Sequence, residues 1–215
     1  AGARAGPKGP APYTGPVRVK ICGITRLEDA LLAEALGAFA LGFVLVPGSR
    51  RRIAPEAARA IGEALGPFVV RVGVFRNQPP EAVLRLMEEA RLQVAQLHGE
   101  EPPEWAEAVK VGNLIFAEGP ARPEWADYPA QALLLDGKRP GSGEAYPRAW
   151  AKPLLATGRR VILAGGIAPE NLEEVLALRP YALDLASGVE EAPGVKSAEK
   201  LRALFARLAS LRMEG

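Results

Sequence analysis

A thiol, an imidazole, an aspartate at the end of an apolar run and a triplet of arginines are the groups through which this 215-residue chain could do chemistry. Cys22 is the only cysteine and stands in Cys22-Gly23-Ile24-Thr25, directly after the apolar run VRVKIC (17–22). A thiol at that place is either a small buried hydrophobe or a base whose pKa is lowered by nearby phosphate-binding amides and arginine. Asp136 closes Leu133-Leu134-Leu135. Partial desolvation there raises a carboxyl's pKa and suits it to general-acid work; the alternative is capping, or pairing with Lys138 or Arg139. Arg50-Arg51-Arg52 follows Ser49. Such a run is usually solvated, but one of its members could offer a bidentate fork to a carboxylate. His98, in Gln96-Leu97-His98-Gly99, either meets a substrate or hydrogen-bonds neighbouring backbone.

Glycine-bearing stretches form a second group: Gly141-Ser142-Gly143, Gly165-Gly166 and Ser187-Gly188. Backbone N–H groups in such loops, beside a helix N-terminus, can cradle a phosphate dianion, and glycine lets the backbone approach closely. The plainer reading is that they make tight strand-to-helix turns.

These groups must be positioned by the elements between them. Short apolar, β-branched runs recur eight times: 17–22, 38–45, 68–75, 93–97, 113–117, 132–136, 160–164 and 181–185. Between them lie stretches with helical spacing, among them 27–36, 55–65, 80–90, 169–178 and 197–211. Pro55, Pro80 and Pro169 fit first-turn positions, and Gly37 and Gly66 fit helix ends. The runs are almost continuously apolar, as strands covered on both faces should be. Strand followed by helix, repeated, is the pattern of a parallel α/β fold, and eight such units close most economically into a single (β/α)8 barrel. An open doubly wound sheet is the competitor, but the first strand is not followed by G-x-G-x-x-G. Every reactive group above then falls at the carboxyl end of a strand, and the glycine stretches occupy the last three loops, where barrels often hold phosphate. The fifth unit, VKVGNLIFAEGPARPEW, is the least regular, with a short strand and at best one helical turn.

Composition limits the function. Lys and Arg number 27 against 25 Asp and Glu, and Arg4 and Lys8 account for the difference. A body so balanced has no footprint for nucleic acid or an anionic membrane. Hydrophobic residues make up 48% and charged residues 24%, too apolar for a disordered chain. No apolar run is long enough to span a bilayer. A single cysteine and a single histidine leave neither an internal disulfide nor a multi-ligand metal site. The expectation is a soluble, cytoplasmic protein without a metal. Residues 1–16, rich in Gly and Pro, are expected to be disordered or loosely packed, and residues 17–215 to form the catalytic barrel.

The motifs VKICGIT (19–25), GFVLVPGSRR (42–51), RVGVF (71–75), QLHGEE (96–101), LLLD (133–136), LAGGIAPENL (163–172) and LDLASGVEEAPGVKS (183–197) together resemble the phosphoribosylanthranilate isomerase family of tryptophan biosynthesis. The resemblance implies a (β/α)8 barrel and an Amadori rearrangement that needs no cofactor. N-(5-phosphoribosyl)anthranilate becomes 1-(2-carboxyphenylamino)-1-deoxyribulose 5-phosphate. Carried over residue by residue, Cys22 is the general base and Asp136 the general acid. Arg51 holds the anthranilate carboxylate, and the phosphate lies on Gly141, Ser142, Gly143, Gly165, Gly166, Ser187 and Gly188; His98 is a candidate substrate contact on its strand-end position alone. The partner implied is a small phosphosugar, with no nucleic acid or membrane, and the assembly a monomer or homodimer. Pro140-Gly141-Ser142-Gly143 replaces the family's usual double glycine. The rival reading is an impaired or engineered barrel that binds phosphosugars without turning them over.

Overall fold

The computed structural model describes residues 16–109, 113–116, 119–137, 142 and 144–213. The N-terminal segment 1–16, apart from Pro16, lies outside the described residues, as do Lys138, Arg139, Gly141 and Gly143.

The apolar runs form the strands β1 (Arg18–Cys22), β2 (Ala40–Val44), β3 (Val70–Phe75), β4 (Val94–Leu97), β5 (Asn113–Phe116), β6 (Leu133–Asp136), β7 (Val161–Leu163) and β8 (Ala182–Leu185). Each pairs in parallel with the next and β8 pairs with β1, so the sheet curls round on itself. Burial on both faces explains the composition of the runs. Ile21, Leu41, Phe43, Leu133, Leu135, Leu183 and Leu185 belong to the large core beneath the helices. Their alternate neighbours Cys22, Val44 and Val74 form a separate cluster inside the curl. With a side-chain period of two, a strand facing helices outside and other strands inside has no face left for water.

The helices are α1 (Leu27–Ala35), α2 (Pro55–Ala64), α3 (Pro80–Glu89), α4 (Pro103–Val109), α5 (Lys152–Leu155), α6 (Leu172–Leu176) and α7 (Ala198–Met213). Pro55 and Pro80 start α2 and α3, where the missing N–H costs nothing. The stretch 169–178, expected as one helix, is instead a 3-10 turn (Pro169–Asn171) followed by α6. Asn171 explains the break. Its side-chain oxygen accepts from the Ala168 N–H and its amide donates to the Gly166 carbonyl, so it closes the loop behind it. Among the described residues, α4 and α5 lie outside the helical stretches read from the sequence, as does a hairpin of β9 (Glu190–Ala192) and β10 (Val195–Lys196) turning at Pro193-Gly194.

The fifth unit is as short as its sequence implies. Leu97 and Asn113 are the one residue pair joining β4 to β5 among the described residues. Beyond β5 comes a 3-10 helix (Pro123–Asp127) in place of a full α-helix. Pro120, Pro123 and Pro129 deny this segment the donors a regular helix needs. Its carbonyls are satisfied from elsewhere: the buried Arg159 guanidinium donates to the carbonyls of Ala126, Tyr128 and Ala130. One side chain thus does what helical N–H groups do elsewhere. Arg159→Met should lower the unfolding free energy by about 1–3 kcal/mol through orphaned carbonyls. The exposed neighbour Arg122→Met should stay within about 0.5 kcal/mol of the parent. Urea denaturation of both variants distinguishes them.

Candidate active site

At the carboxyl ends of the strands lies a cavity of about 340 Å³ whose wall includes Cys22, Arg51, Gln96, His98, Asp136 and Asp184. Four separate strands and a loop deliver these groups to one place. A larger cavity of about 520 Å³ opens at the opposite end, among strand starts such as Arg18, Val70 and Tyr181. Its described lining carries no cysteine, histidine or carboxylate, so the acid–base chemistry belongs to the smaller one.

Cys22 ends β1 and is 8% exposed. Opposite it in register is Gly42. A Cβ on Gly42 would stand 2.6 Å from the sulfur, so only glycine leaves the thiol its place. Burial pushes the thiol pKa up, whereas Lys20 and Lys196 pull it down without reversing the shift. The lowered pKa expected from neighbouring amides and arginine is therefore corrected: desolvation outweighs the cations around the thiol.

Asp136 ends β6, buried, with its Oδ1 accepting from the Gly137 N–H at 2.7 Å. Desolvation raises its pKa from 3.8 to about 6, and Asp184 adds to the rise, while Gly137, Lys20 and Arg148 oppose it. The carboxyl thus titrates nearer neutrality than an ordinary aspartate, the direction that general-acid work requires. Gly165, with φ +77°, lies so near that a Cβ there would meet Asp136 Oδ1 at 2.6 Å.

His98 is placed just beyond β4 with its Nε2 3.8 Å from Asp136 Oδ2. Burial lowers its pKa to about 3, with Lys20 and Arg76 adding to the effect, so the imidazole is neutral at ordinary pH. Gln96 Nε2 lies 3.3 Å from its Nδ1. With Gln96 donating to Nδ1, the ring proton sits on Nε2 and faces Asp136. His98 is thus a neutral neighbour of Asp136, and not an ion-pair partner.

Of the three arginines, Arg50 and Arg52 are exposed and Arg51 is not. Arg51 is gripped bidentately by Glu190 of β9, Nε and Nη2 each 2.9 Å from a carboxylate oxygen. Lys196 of β10, with a wholly buried side chain, donates to the same carboxylate at 2.7 Å and also to the Cys22 carbonyl. Burial works against ionisation of Glu190, but hydrogen bonds from Arg51 and Lys196 overcome it and hold the carboxyl below the ordinary range. The hairpin is fastened on its other side by Asp29 to the Lys196 N–H and by Thr25 to the Gly194 carbonyl. Glu190 and Lys196 were not identifiable from charge or periodicity. Their only signal lies in the run GVEEAPGVKS, where a turn dipeptide separates charges of opposite sign.

The glycine-bearing loops meet. Gly165 and Gly166 both have positive φ, and their carbonyls are taken by Arg148 Nη2 and Asn171 Nδ2. Ser187 and Gly188 open a 3-10 turn after β8, and Gly188 packs against the Ile167 carbonyl with no room for a Cβ. Ala145, at the end of the sixth loop, lies against Gly166. The Ser142 hydroxyl accepts from the Glu144 N–H. Gly141 and Gly143 lie outside the described residues. The loops after β7 and β8 are therefore adjacent, whereas the sixth-loop positions are only partly placed.

A family model described as N-(5'phosphoribosyl)anthranilate (PRA) isomerase matches residues 19–207. A crystal structure of phosphoribosyl anthranilate isomerase from Thermus thermophilus is 92% identical, with a TM-score of 0.90 over 91% of this chain and 100% of that one. Monomers of the dimeric isomerase from Thermotoga maritima are 37% identical, with a TM-score of 0.81 over 90% of this chain and 99% of theirs. An isomerase in complex with reduced 1-(o-carboxyphenylamino)-1-deoxyribulose 5-phosphate is 35% identical, with a TM-score of 0.79 over 90% and 99%. A thiol, a carboxyl and an arginine at the ends of a curled parallel sheet thus coincide with a match along nearly the whole described chain, and the chain belongs to the phosphoribosylanthranilate isomerase family.

Proposed function

We propose that the chain isomerises N-(5-phosphoribosyl)anthranilate to 1-(2-carboxyphenylamino)-1-deoxyribulose 5-phosphate in tryptophan biosynthesis, with Cys22 as general base, Asp136 as general acid and no cofactor. The observation that carries this reading is the proximity, in one cavity, of a thiol and a carboxyl whose pKa burial has raised to about 6. The curled sheet is read as a complete (β/α)8 barrel, in which such groups belong at the strand ends.

The chemistry follows from those two groups. Asp136, protonated, gives its proton to the furanose ring oxygen; the C1–O bond breaks and the anilino nitrogen's lone pair forms the Schiff base. Cys22, as thiolate, removes the proton from C2, and the electron pair returns to nitrogen to give the enolamine. Tautomerisation to the ketone completes the rearrangement. Each group acts in the form it least favours at neutral pH, so the site works by adjusting proton affinities. Arg51, whose guanidinium lines the cavity while Glu190 holds its Nε and Nη2, is read as the group that meets the anthranilate carboxylate, with His98 beside the acid. The phosphate is assigned to the adjoining loops carrying Gly165, Gly166, Ser187 and Gly188, with Gly141, Ser142 and Gly143 completing it. The substrate is a small phosphosugar; the chain acts in the cytoplasm as a monomer or homodimer.

Fluorescence assay of anthranilate-ribosyl-phosphate consumption, with substrate generated in situ, tests the reaction. Cys22→Ala and Asp136→Asn should each lower turnover by about two orders of magnitude or more while leaving the circular dichroism spectrum unchanged. Near-normal turnover in either variant overturns that residue's role. A parent that binds the phosphosugar product without turnover would instead support an impaired scaffold.

Stability gives an independent check on Asp136. Its folded pKa of about 6 lies above the ordinary value of 3.8. The folded state therefore binds the extra proton, and the associated stability is present at low pH and lost as pH rises through 6. Asp136→Asn should thus unfold at higher temperature than the parent at pH 8, a gain on the order of 1–3 kcal/mol. At pH 4 the difference should nearly vanish. Thermal melts at the two pH values decide the matter, and a variant less stable than the parent at pH 8 would contradict the burial account.

A further inference from the structure

A lysine in the interior of a parallel sheet is the least expected residue in β1. Lys20 is 5% exposed, two residues before Cys22 and on the same inward face of the strand. Its register partner on β8 is Asp184, and the two form an ion pair of 2.8 Å. Asp184 in turn shares the wall of the strand-end cavity with Cys22, and the ammonium favours the ionised thiol electrostatically. Burial works to lower the Lys20 pKa, but Asp184 foremost, with Cys22, overcomes that tendency and holds it above the ordinary lysine value. A fixed positive charge therefore stands directly below the thiol.

We propose that Lys20, tethered by Asp184, is the counter-cation of the Cys22 thiolate, a positioning residue that makes the buried thiol usable as a base. This rests on the acid–base reading above and adds to it the source of the charge. The other groups facing Cys22 do not supply it as directly. Lys196, on the hairpin, is committed to Glu190 and the Cys22 carbonyl, and Arg51, after β2, is committed to Glu190. Asp184 by itself disfavours the thiolate, so its part is to retain the ammonium. Lys20 also reaches the acid side. Its charge opposes the rise at Asp136 and helps keep His98 neutral, alongside Arg148 and Arg76 respectively. One cation thus acts on the base, the acid and the acid's neighbour.

Because Cys22 is the only cysteine, its ionisation can be read from the pH dependence of iodoacetamide alkylation, without reference to catalysis. In Lys20→Met the alkylation midpoint should rise by about one pH unit or more, and the pH profile of kcat/KM should move to higher pH on both limbs. Lys20→Arg, which keeps the charge, should hold both close to the parent. Lys20→Met/Asp184→Asn removes the pair as a neutral unit and keeps the test open should the single variant misfold. Its midpoint should also rise, by less than in Lys20→Met. An unchanged midpoint in a folded Lys20→Met or double variant overturns the proposal even if turnover falls. A raised midpoint with an unmoved pH profile upholds the counter-ion and overturns Cys22 as the base.

Discussion

One buried carboxylate holds the site together. Glu190 accepts from Arg51 and Lys196 simultaneously, and Lys196 continues the chain of contacts to the Cys22 carbonyl. The loops after β1, β2 and β8 are therefore fixed relative to one another by three charged side chains that water scarcely reaches. Such clusters contribute little net stability, because desolvation offsets most of the attraction, but removing one member leaves the others uncompensated at a cost of about 3–5 kcal/mol. What the cluster supplies is position: a guanidinium held by a carboxylate cannot swing out into solvent as Arg50 and Arg52 do.

Burial of polar groups is the common thread from strand to chemistry. The alternation that sends Ile21 and Leu135 outward beneath the helices sends Lys20, Cys22, Asp136 and Asp184 into the curl. Dense packing there shifts three of the proton affinities towards the neutral form, the Cys22 thiol and the Asp136 carboxyl up and the His98 imidazole down, while the ion pair with Asp184 keeps Lys20 charged. The direction suits the acid role proposed for Asp136. It opposes the base role proposed for Cys22, and the two lysines near the thiol compensate in part. The same desolvation therefore favours the protonated carboxyl and disfavours the thiolate, and cations stand where the thiol sits.

The strands were legible because burial on two faces demands apolar runs, and each predicted run contains its observed strand. Asp136 was legible as a carboxyl with a raised pKa for the same reason, standing at the end of Leu133-Leu134-Leu135. The role of Glu190 was not, because nothing local marks which of two adjacent glutamates turns inward; that is decided by where Arg51 arrives from a segment 139 residues away in sequence. The break at Asn171 was hidden by a first-turn proline and good helix formers, and only the side chain's hydrogen bonds back to the loop reveal it. Local propensity carried the frame, while long-range pairing of charges carried the site.

The narrow junction between β4 and β5 has a topological consequence. Arg212, in α7, donates to the Val17 carbonyl at the start of β1, so the two ends of the described chain lie side by side. A short linker could join them, and the polypeptide would then be a circle with no privileged start. A circularised chain is best reopened where the fewest strand contacts lie nearby, and the single residue pair between β4 and β5 among the described residues marks that place. A permutant beginning there would keep the thiol, the arginine cluster and the carboxyl on uninterrupted stretches of backbone, with the order of its two halves exchanged.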